Sequence, residues 1–205
     1  MNWSDRLMIF IQIIGMMVVC FFVSLTILLI LYSFIVKKSD PYVDPGNMPV
    51  LRPIPIPTKN RPAFMRILVW IFEVRKWELQ ENWYFKLDSG EKIVINKGFI
   101  FDGASIPRPL WAILSPVGLL LIPGLIHDYG YKYDQLWQMK EDGTLDKYLE
   151  KSDRKIWDNL FHSVGRQVNG LSFIDTLAWL GLRAGGFVAW NKHRNNNKMP
   201  SIPVI

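Results

Sequence analysis

The feature that most constrains this chain is an uncharged apolar run from Leu7 to Val36. An α-helix needs about 20 apolar residues to cross the hydrocarbon core of a bilayer, and this run is longer. A secretory signal has a shorter apolar core and a small-residue cleavage site, whereas this run ends in Tyr-Ser-Phe-Ile-Val-Lys-Lys. The pattern predicts one transmembrane helix within residues 1–40, with the lipid bilayer as a partner.

Basic residues around the run predict its orientation. Arg6 precedes it, whereas Lys37, Lys38 and Arg52 follow it. Basic residues collect on the cytoplasmic side of membranes, so the C-terminal part of the chain is expected in the cytoplasm. The expected protein is a single-pass membrane protein with a short translocated N-terminus.

A proline-rich segment follows at residues 41–62, which contain seven prolines. Prolines at this density exclude a helix and favour extended polyproline geometry. The segment is therefore interpreted as a semi-rigid spacer. A PxxP ligand for the aromatic groove of a partner is the alternative.

The charge and cysteine content narrow the functional classes. The formal net charge is +6, but the basic residues form no patch interleaved with aromatic residues, which argues against nucleic acid as a partner. The single cysteine, Cys20, lies inside the apolar run, so no intrachain disulfide can form.

The region from 63 to 190 predicts a small α+β domain. Residues 63–77 fit either a strand or an interfacial helix. Aromatic and β-branched residues on either side of Gly90 predict an antiparallel β-hairpin, with a positive φ at that glycine. Apolar spacing then predicts three or so helices. These cover residues 119–134, 145–168 and 171–190, before a frayed tail at 191–205.

Two nearly uncharged segments, 110–126 and 171–190, leave open a further contact with the bilayer. Prolines and glycines interrupt the first segment, and Asp175 with Arg183 interrupts the second. These interruptions favour a core or interface position over additional membrane spans.

The residues whose side chains are suited to catalysis or metal binding are concentrated between Gly98 and Tyr131. His127 and Tyr131 share a helix face at i, i+4, whereas Asp128 points about 100° away from His127. One hypothesis is a divalent metal ion. Its ligands would be His127, Asp128 and Asp153, with Asp102 as a fourth. The alternative is a neutral histidine bonded to a buried carboxylate.

The turn Asp102-Gly103-Ala104-Ser105 resembles a nucleophile elbow only superficially, because the G-x-S-x-G pattern is absent. Ser105 can equally cap the turn, and Asp102 can bind backbone amides of the loop. The candidate catalytic residues are Asp102, Ser105 and Tyr131.

The blocks Asp102-Gly103-Ala104-Ser105-Ile106-Pro107-Arg108 and His127-Asp128-Tyr129-x-Tyr131 together resemble domain of unknown function 1353. Gly98-Phe99, Leu110-Trp111 and Asp153 extend the resemblance, which covers roughly residues 80–190. This family is common in phages and prophages, so the resemblance implies a small α+β domain in that setting. It implies no activity.

Two principal functions compete, and the first ranks slightly higher. One is a non-enzymatic interaction, exclusion or assembly module at the host inner membrane, with another membrane or phage protein as its partner. The other is a membrane-tethered hydrolase with a metal-activated water. A third reading is a small oligomeric protein whose segments 110–126 and 171–190 join the bilayer.

Overall fold

The computed structural model describes residues 3–35, 43, 47–73, 75–103, 118–196 and 200–204. The chain divides into two compact units, Met1–Pro41 and Tyr42–Ile205. Helix α1 belongs to the first unit, and all the strands and other helices described below belong to the second.

Helix α1 runs from Trp3 to Ile35. It is long and apolar enough to cross a membrane, with its most apolar window at Met8–Leu25 and no residue of that window buried. A signal sequence near an N-terminus meets the same criterion of length and composition. It is the one such helix in the described part of the chain.

The second unit is α+β with antiparallel sheets, as predicted. The smaller sheet has the order β1–β2–β5, formed by Leu51–Pro53, Trp77–Leu79 and Ile100–Phe101. Strand β1 lies inside the segment 41–62 interpreted above as a spacer, so part of that segment is paired in a sheet instead. The single proline of this strand, Pro53, lies at its end, opposite Trp77. Strand β1 is at the edge of the sheet, where a proline is tolerated.

The larger sheet has the order β3–β4–β6–β7. Its strands are Trp83–Lys86, Lys92–Ile95, Leu136–Met139 and Leu145–Tyr148. The predicted hairpin is β3–β4, with Trp83 opposite Ile95 and Gly90 at a φ of 106°. Both are confirmed.

The β6–β7 hairpin contradicts the helix predicted from Leu145. Residues Leu145–Tyr148 pair with β6 instead, and Leu149 and Lys151 take left-handed φ values of 53° and 52°. Such a conformation interrupts any continuous helix. The apolar residues of this stretch also suit a half-buried strand, so their spacing was ambiguous.

Helices α2 and α3 are Ala63–Phe72 and Leu121–Tyr133. The open choice at residues 63–77 resolves into α2 followed by β2. Pro123 lies in the first turn of α3, where its missing N–H has no intrahelical acceptor to lose, so it marks the start of the helix.

Helices α4 and α5 are Arg154–Asn169 and Ser172–Asn196. The side chain of Asp153 caps α4 by accepting a hydrogen bond from the backbone N–H of Lys155. Gly170, at a φ of 63°, ends α4 in the left-handed conformation that glycine adopts without strain. Because α5 ends at Asn196, it extends into the tail predicted for residues 191–205.

The end of the chain is also held in place. Asn82 Nδ2 donates to the carbonyl of Val204 at 2.7 Å, and Asn96 donates to the carbonyl of Ser201. The frayed tail predicted for 191–205 therefore differs from the structure in its described residues. The bonds come from asparagine side chains next to β3 and β4. Because these residues are far from the tail in the chain, a local sequence pattern does not indicate them.

The core lies between the larger sheet and α3, with Trp157 of α4 buried against them. Gly130 of α3 faces Trp157 so closely that a Cβ at this position would overlap the indole ring. Within segment 110–126, the described residues Leu120, Leu121 and Ile122 are buried in this core. Residues 110–117 lie outside the described part of the chain.

Candidate functional site

A cavity of about 770 Å³ opens between β5, α3 and α5. One wall is formed by small and apolar residues of α5, including Ala178, Gly181 and Gly185. Titratable side chains from four parts of the chain line the rest. They are Lys76, Asp102, His127, Asp128, Tyr131, Lys132, Lys192 and His193.

His127 is buried on α3, where it bonds to a carboxylate from α4. Its Nε2 lies 3.2 Å from Oδ1 of Asp158. Asp158 is completely excluded from solvent. Such a charge is tolerated in a protein interior only when surrounding donors replace the water that it has lost.

Asp158 has donors from three helices. Tyr131 of α3 donates its hydroxyl to Oδ1, and Nη1 of Arg183 on α5 lies 3.4 Å from Oδ2. Nη1 of Arg154, one turn earlier on α4, lies 3.7 Å from the same oxygen. Burial opposes ionisation, but the bonds from His127 and Tyr131 and the nearby positive charges keep the pKa of Asp158 below its usual value. The carboxylate thus joins α3, α4 and α5.

The two aspartates beside His127 also control its charge. Burial lowers the pKa of the imidazole, but hydrogen bonding and charge from Asp128 and Asp158 outweigh it, so the His127 pKa is raised. Nδ1 lies 3.7 Å from Oδ1 of Asp128, on the side of the ring away from Asp158. The imidazole ring is therefore held between two carboxyl groups.

Asp128 is a carboxyl group with a strongly altered pKa. Burial raises its pKa to about 7, with Asp102 adding to the rise and His127 opposing it. Its Oδ2 is buried and has no hydrogen-bond partner in the described part of the chain. A carboxyl group that changes charge near neutral pH, in a cavity wall, suits proton transfer.

Basic side chains also line the cavity. His193 of α5 has a lowered pKa because it is partly buried and lies near Lys132, Arg194 and Lys192. Lys132 lies over the ring of Phe99 at 5.0 Å. The cavity thus combines acidic and cationic groups.

The structure brings four of the predicted site residues together: Asp102, His127, Asp128 and Tyr131. Asp153 instead caps α4, and Ser105 lies outside the described residues. Among the residues that the structure describes, no group of three or more His, Cys, Asp or Glu could hold a metal ion. A metal set of His127, Asp128 and Asp153 stays a prediction, and it would require a ligand from elsewhere.

Sequence reasoning missed the centre of the network, Asp158. Asp134, one turn beyond Tyr131 in the chain, ends α3 at a φ of 54° and accepts a bond from the indole N–H of Trp157. Arg183 was noticed only as a charge in an apolar helix. The i, i+4 spacing of Arg154 and Asp158 was the one signal available, and it is common on solvent-exposed helices.

These features define a class of protein: an α+β domain with a buried histidine–aspartate network at the wall of a cavity. The chain belongs to the family described as Protein of unknown function (DUF1353), which it matches over residues 77–182. The match spans β2 to α5, including Asp102, His127 and Asp158, and it confirms the resemblance seen in the sequence. No curated protein and no solved structure matched the chain.

Proposed function

We propose that the DUF1353 domain is a hydrolase in which Asp102 and Asp128 act as an acid–base pair. The proposal is carried by one observation: both carboxyl groups line the same cavity, and Asp102 helps to keep Asp128 protonated near neutral pH. Two carboxyl groups that share a site resist joint ionisation, so one retains a proton while the other is free to accept one.

The proposed chemistry is the addition of water to an ester or amide carbonyl. The Asp102 carboxylate accepts a proton from a water molecule as the oxygen of that water bonds to the carbonyl carbon. The Asp128 carboxyl group donates its proton toward the leaving group as the bond to the acyl carbon breaks. A positioned acid or base of this kind accelerates a reaction by about 10²–10⁴-fold.

The His127–Asp158 pair would position Asp128. His127 is held by Asp158 through Nε2, so its Nδ1 has a defined position 3.7 Å from Asp128. The imidazolium also stabilises the Asp128 carboxylate after the proton has left, because opposite charges attract strongly where water is excluded. Replacement of His127 is therefore expected to raise the pKa of Asp128 further.

The basic residues of the cavity indicate the charge of the substrate. Lys76, Lys132 and Lys192 line it together with the carboxyl pair. A pair that shares one proton carries a single negative charge, so the lysines leave this part of the wall net positive. An anionic ester or amide is the expected substrate class.

The test uses the full-length protein in detergent micelles, with fluorogenic carboxylic esters and peptides in matched neutral and anionic forms. Asp102→Asn and Asp128→Asn are expected to lower kcat/KM for an anionic substrate by about 100-fold or more. Glu141→Gln, in the exposed turn between β6 and β7, is the matched control and should keep full activity. Equal turnover in all variants would contradict the proposal.

A carboxyl titration provides a second test that requires no substrate. In protein labelled with ¹³C at the aspartate carboxyl carbon, the Asp128 signal is identified by its loss in Asp128→Asn. It should titrate near pH 7. Titration below about 5, the range of ordinary carboxyl groups, would remove the basis for the pair. A stoichiometric divalent metal that His127→Ala loses would favour the metal-dependent alternative.

The chain is further proposed to be a single-pass protein of a phage or prophage, anchored in the host inner membrane by α1. The support is the length and composition of α1, together with Lys37 and Lys38 after it. C-terminal fusions test the orientation. A fluorescent protein should be bright and alkaline phosphatase inactive, whereas active phosphatase would place the domain outside the cytoplasm.

A non-enzymatic interaction module is the second candidate function. It is favoured by exposed apolar side chains along α5, where Phe173 and Val188 are 76% and 62% exposed. Exposed aromatic residues such as Phe173 are enriched in protein interfaces. The partner would be another membrane or phage protein, and the role one of exclusion or assembly.

Plating efficiency of phages on a host that expresses the chain distinguishes the two functions. If the chain acts by interaction, Phe173→Ser should abolish exclusion while Asp128→Asn retains it. If it acts by hydrolysis, the outcomes should be reversed. Immunoblots of the membrane fraction control for the amount of each variant.

A further inference from the structure

Helix α2 presents an apolar surface that the described part of the domain leaves uncovered. Phe64 is 68% exposed and Ile67 is 54% exposed, and Met65 is also exposed. Of the residues from Ala63 to Val69, only Val69 is buried. A helix this apolar ordinarily buries its surface against another element.

Two of the exposed apolar residues of α2, Phe64 and Ile67, share a helix face with the half-buried Leu68. Phe64, Ile67 and Leu68 occupy positions i, i+3 and i+4, which lie within an arc of about 100° on an α-helix. Arg66 points away from this arc, and its Nε donates to the backbone carbonyl of Arg61 at 3.0 Å. The helix is therefore amphipathic in its first two turns.

The chain around α2 is strongly basic. Between Lys59 and Arg75, there are four basic residues and one acidic residue, Glu73. The basic residues are Lys59, Arg61, Arg66 and Arg75, whereas Arg52 is paired with Glu78 and Lys76 lines the cavity. An apolar face flanked by basic residues complements the acyl chains and anionic headgroups of a bilayer surface.

We propose that α2 lies in the lipid–water interface of an anionic bilayer, with Phe64 and Ile67 immersed in the acyl region. A bilayer is favoured over a protein groove because a charge imbalance of this size matches a uniformly anionic surface. The chain also carries α1, and 27 residues separate the end of α1 from the start of α2. If α1 is inserted as proposed above, this connection keeps α2 close enough to the bilayer to reach its surface.

Electron paramagnetic resonance of the full-length chain in vesicles tests the position of α2. The native Cys20 is replaced by serine, and a spin label is attached in the variants Phe64→Cys, Ile67→Cys or Arg66→Cys. Glu141→Cys, in the exposed β6–β7 turn, is the control for a site in water. Relaxation by oxygen reports acyl chains, and relaxation by a water-soluble nickel complex reports solvent.

In vesicles with phosphatidylglycerol, the labels at positions 64 and 67 should be relaxed by oxygen at least several-fold more than by nickel. The labels at 66 and 141 should show the opposite preference. Nickel relaxation at 64 and 67 equal to that at 141 would overturn the proposal. Protection from both reagents would overturn it in favour of a protein partner.

Two further comparisons separate the parts of the proposal. Immersion should weaken in purely zwitterionic vesicles and in an Arg61→Glu, Arg66→Glu variant, whereas equal immersion would refute the role of anionic lipid. A label on the native Cys20 reports whether α1 is inserted. A lipid-exposed Cys20 with water-exposed positions 64 and 67 would refute docking by α2 while leaving the anchor intact.

Discussion

His127 Nε2 lies 3.2 Å from Oδ1 of Asp158, although 31 positions separate the two residues in the chain. The contact joins α3 to α4 in the interior of the domain, and Arg183 adds α5 on the other carboxylate oxygen. Because His127 also lies beside Asp128, the same pair connects the packing of three helices to the wall of the cavity. Stability and the candidate chemistry therefore depend on one carboxylate.

Replacement of Asp158 by asparagine should destabilise the domain strongly. The buried His127 and the partly exposed Arg183 would lose the carboxylate between them, and removing one partner from a buried ion pair costs about 3–5 kcal/mol. Urea denaturation of the full-length protein in mild detergent, followed by tryptophan fluorescence, measures the free energy of unfolding. Asp146→Asn is the control, since Asp146 pairs with Lys140 on the surface and its loss should matter little. Equal stability of the two variants would contradict the network.

Stability should fall as the pH rises from about 5 to 8. Asp128 has a native pKa of about 7 against an ordinary value of 3.8, so the folded state binds more protons between these values. His127, with a raised pKa, likewise contributes stability that is lost above its native pKa. Asp158 acts in the opposite direction, because its lowered pKa removes stability only as the pH falls below the ordinary aspartate range.

The variant Asp128→Asn tests this assignment. Asparagine cannot titrate, and the His127 pKa loses one of the two carboxyl groups that raise it, so the decline in stability should become shallower. Unfolding free energies at pH 5, 6, 7 and 8 for wild type, Asp128→Asn and the Glu141→Gln control give the comparison. A slope unchanged in Asp128→Asn would show that Asp128 does not titrate in this interval.

Gly130→Ala should destabilise the domain even though alanine favours helices. The added Cβ would overlap the indole ring of Trp157, and Trp157 is completely buried, so neighbouring side chains must shift. Overpacking of this kind typically costs about 1–3 kcal/mol. Gly185→Ala is the matched control, since a Cβ there meets nothing within 4 Å and alanine should be neutral or slightly stabilising. Thermal and urea denaturation of both variants provide the test.

Asp134→Ala should be less stable than Asp134→Asn. Oδ1 of Asp134 accepts bonds from the indole N–H of Trp157 and the backbone N–H of Ser152, both at 3.0 Å. Alanine leaves these donors without an acceptor, at a cost of about 1–3 kcal/mol, and tolerates the left-handed φ poorly. Asparagine keeps the acceptor and suits that backbone, although it loses the ion pair with Arg194. Equal destabilisation of both variants would assign the effect to the ion pair alone.

The success of sequence reasoning varied with the range of the interactions involved. The β3–β4 hairpin could be predicted because its signals, alternating apolar residues around Gly90, are local. The β6–β7 hairpin was missed because residues 145–148 fit a helix equally well when considered alone. Their pairing with β6, which itself pairs with β4, decided the outcome. Tertiary pairing overrides local propensity in such short segments.

The sequence by itself determined the long apolar helix, the α+β class and the family, because each depends on composition or on residues close together in the chain. It also indicated that Asp102, His127, Asp128 and Tyr131 belong to one site. Only the tertiary structure decided that Asp158 and Arg183 complete the site and that Asp153 does not. The reason is physical: a buried charge is stabilised by whichever donors the packing of α3, α4 and α5 brings to it, and no spacing along the chain encodes that encounter.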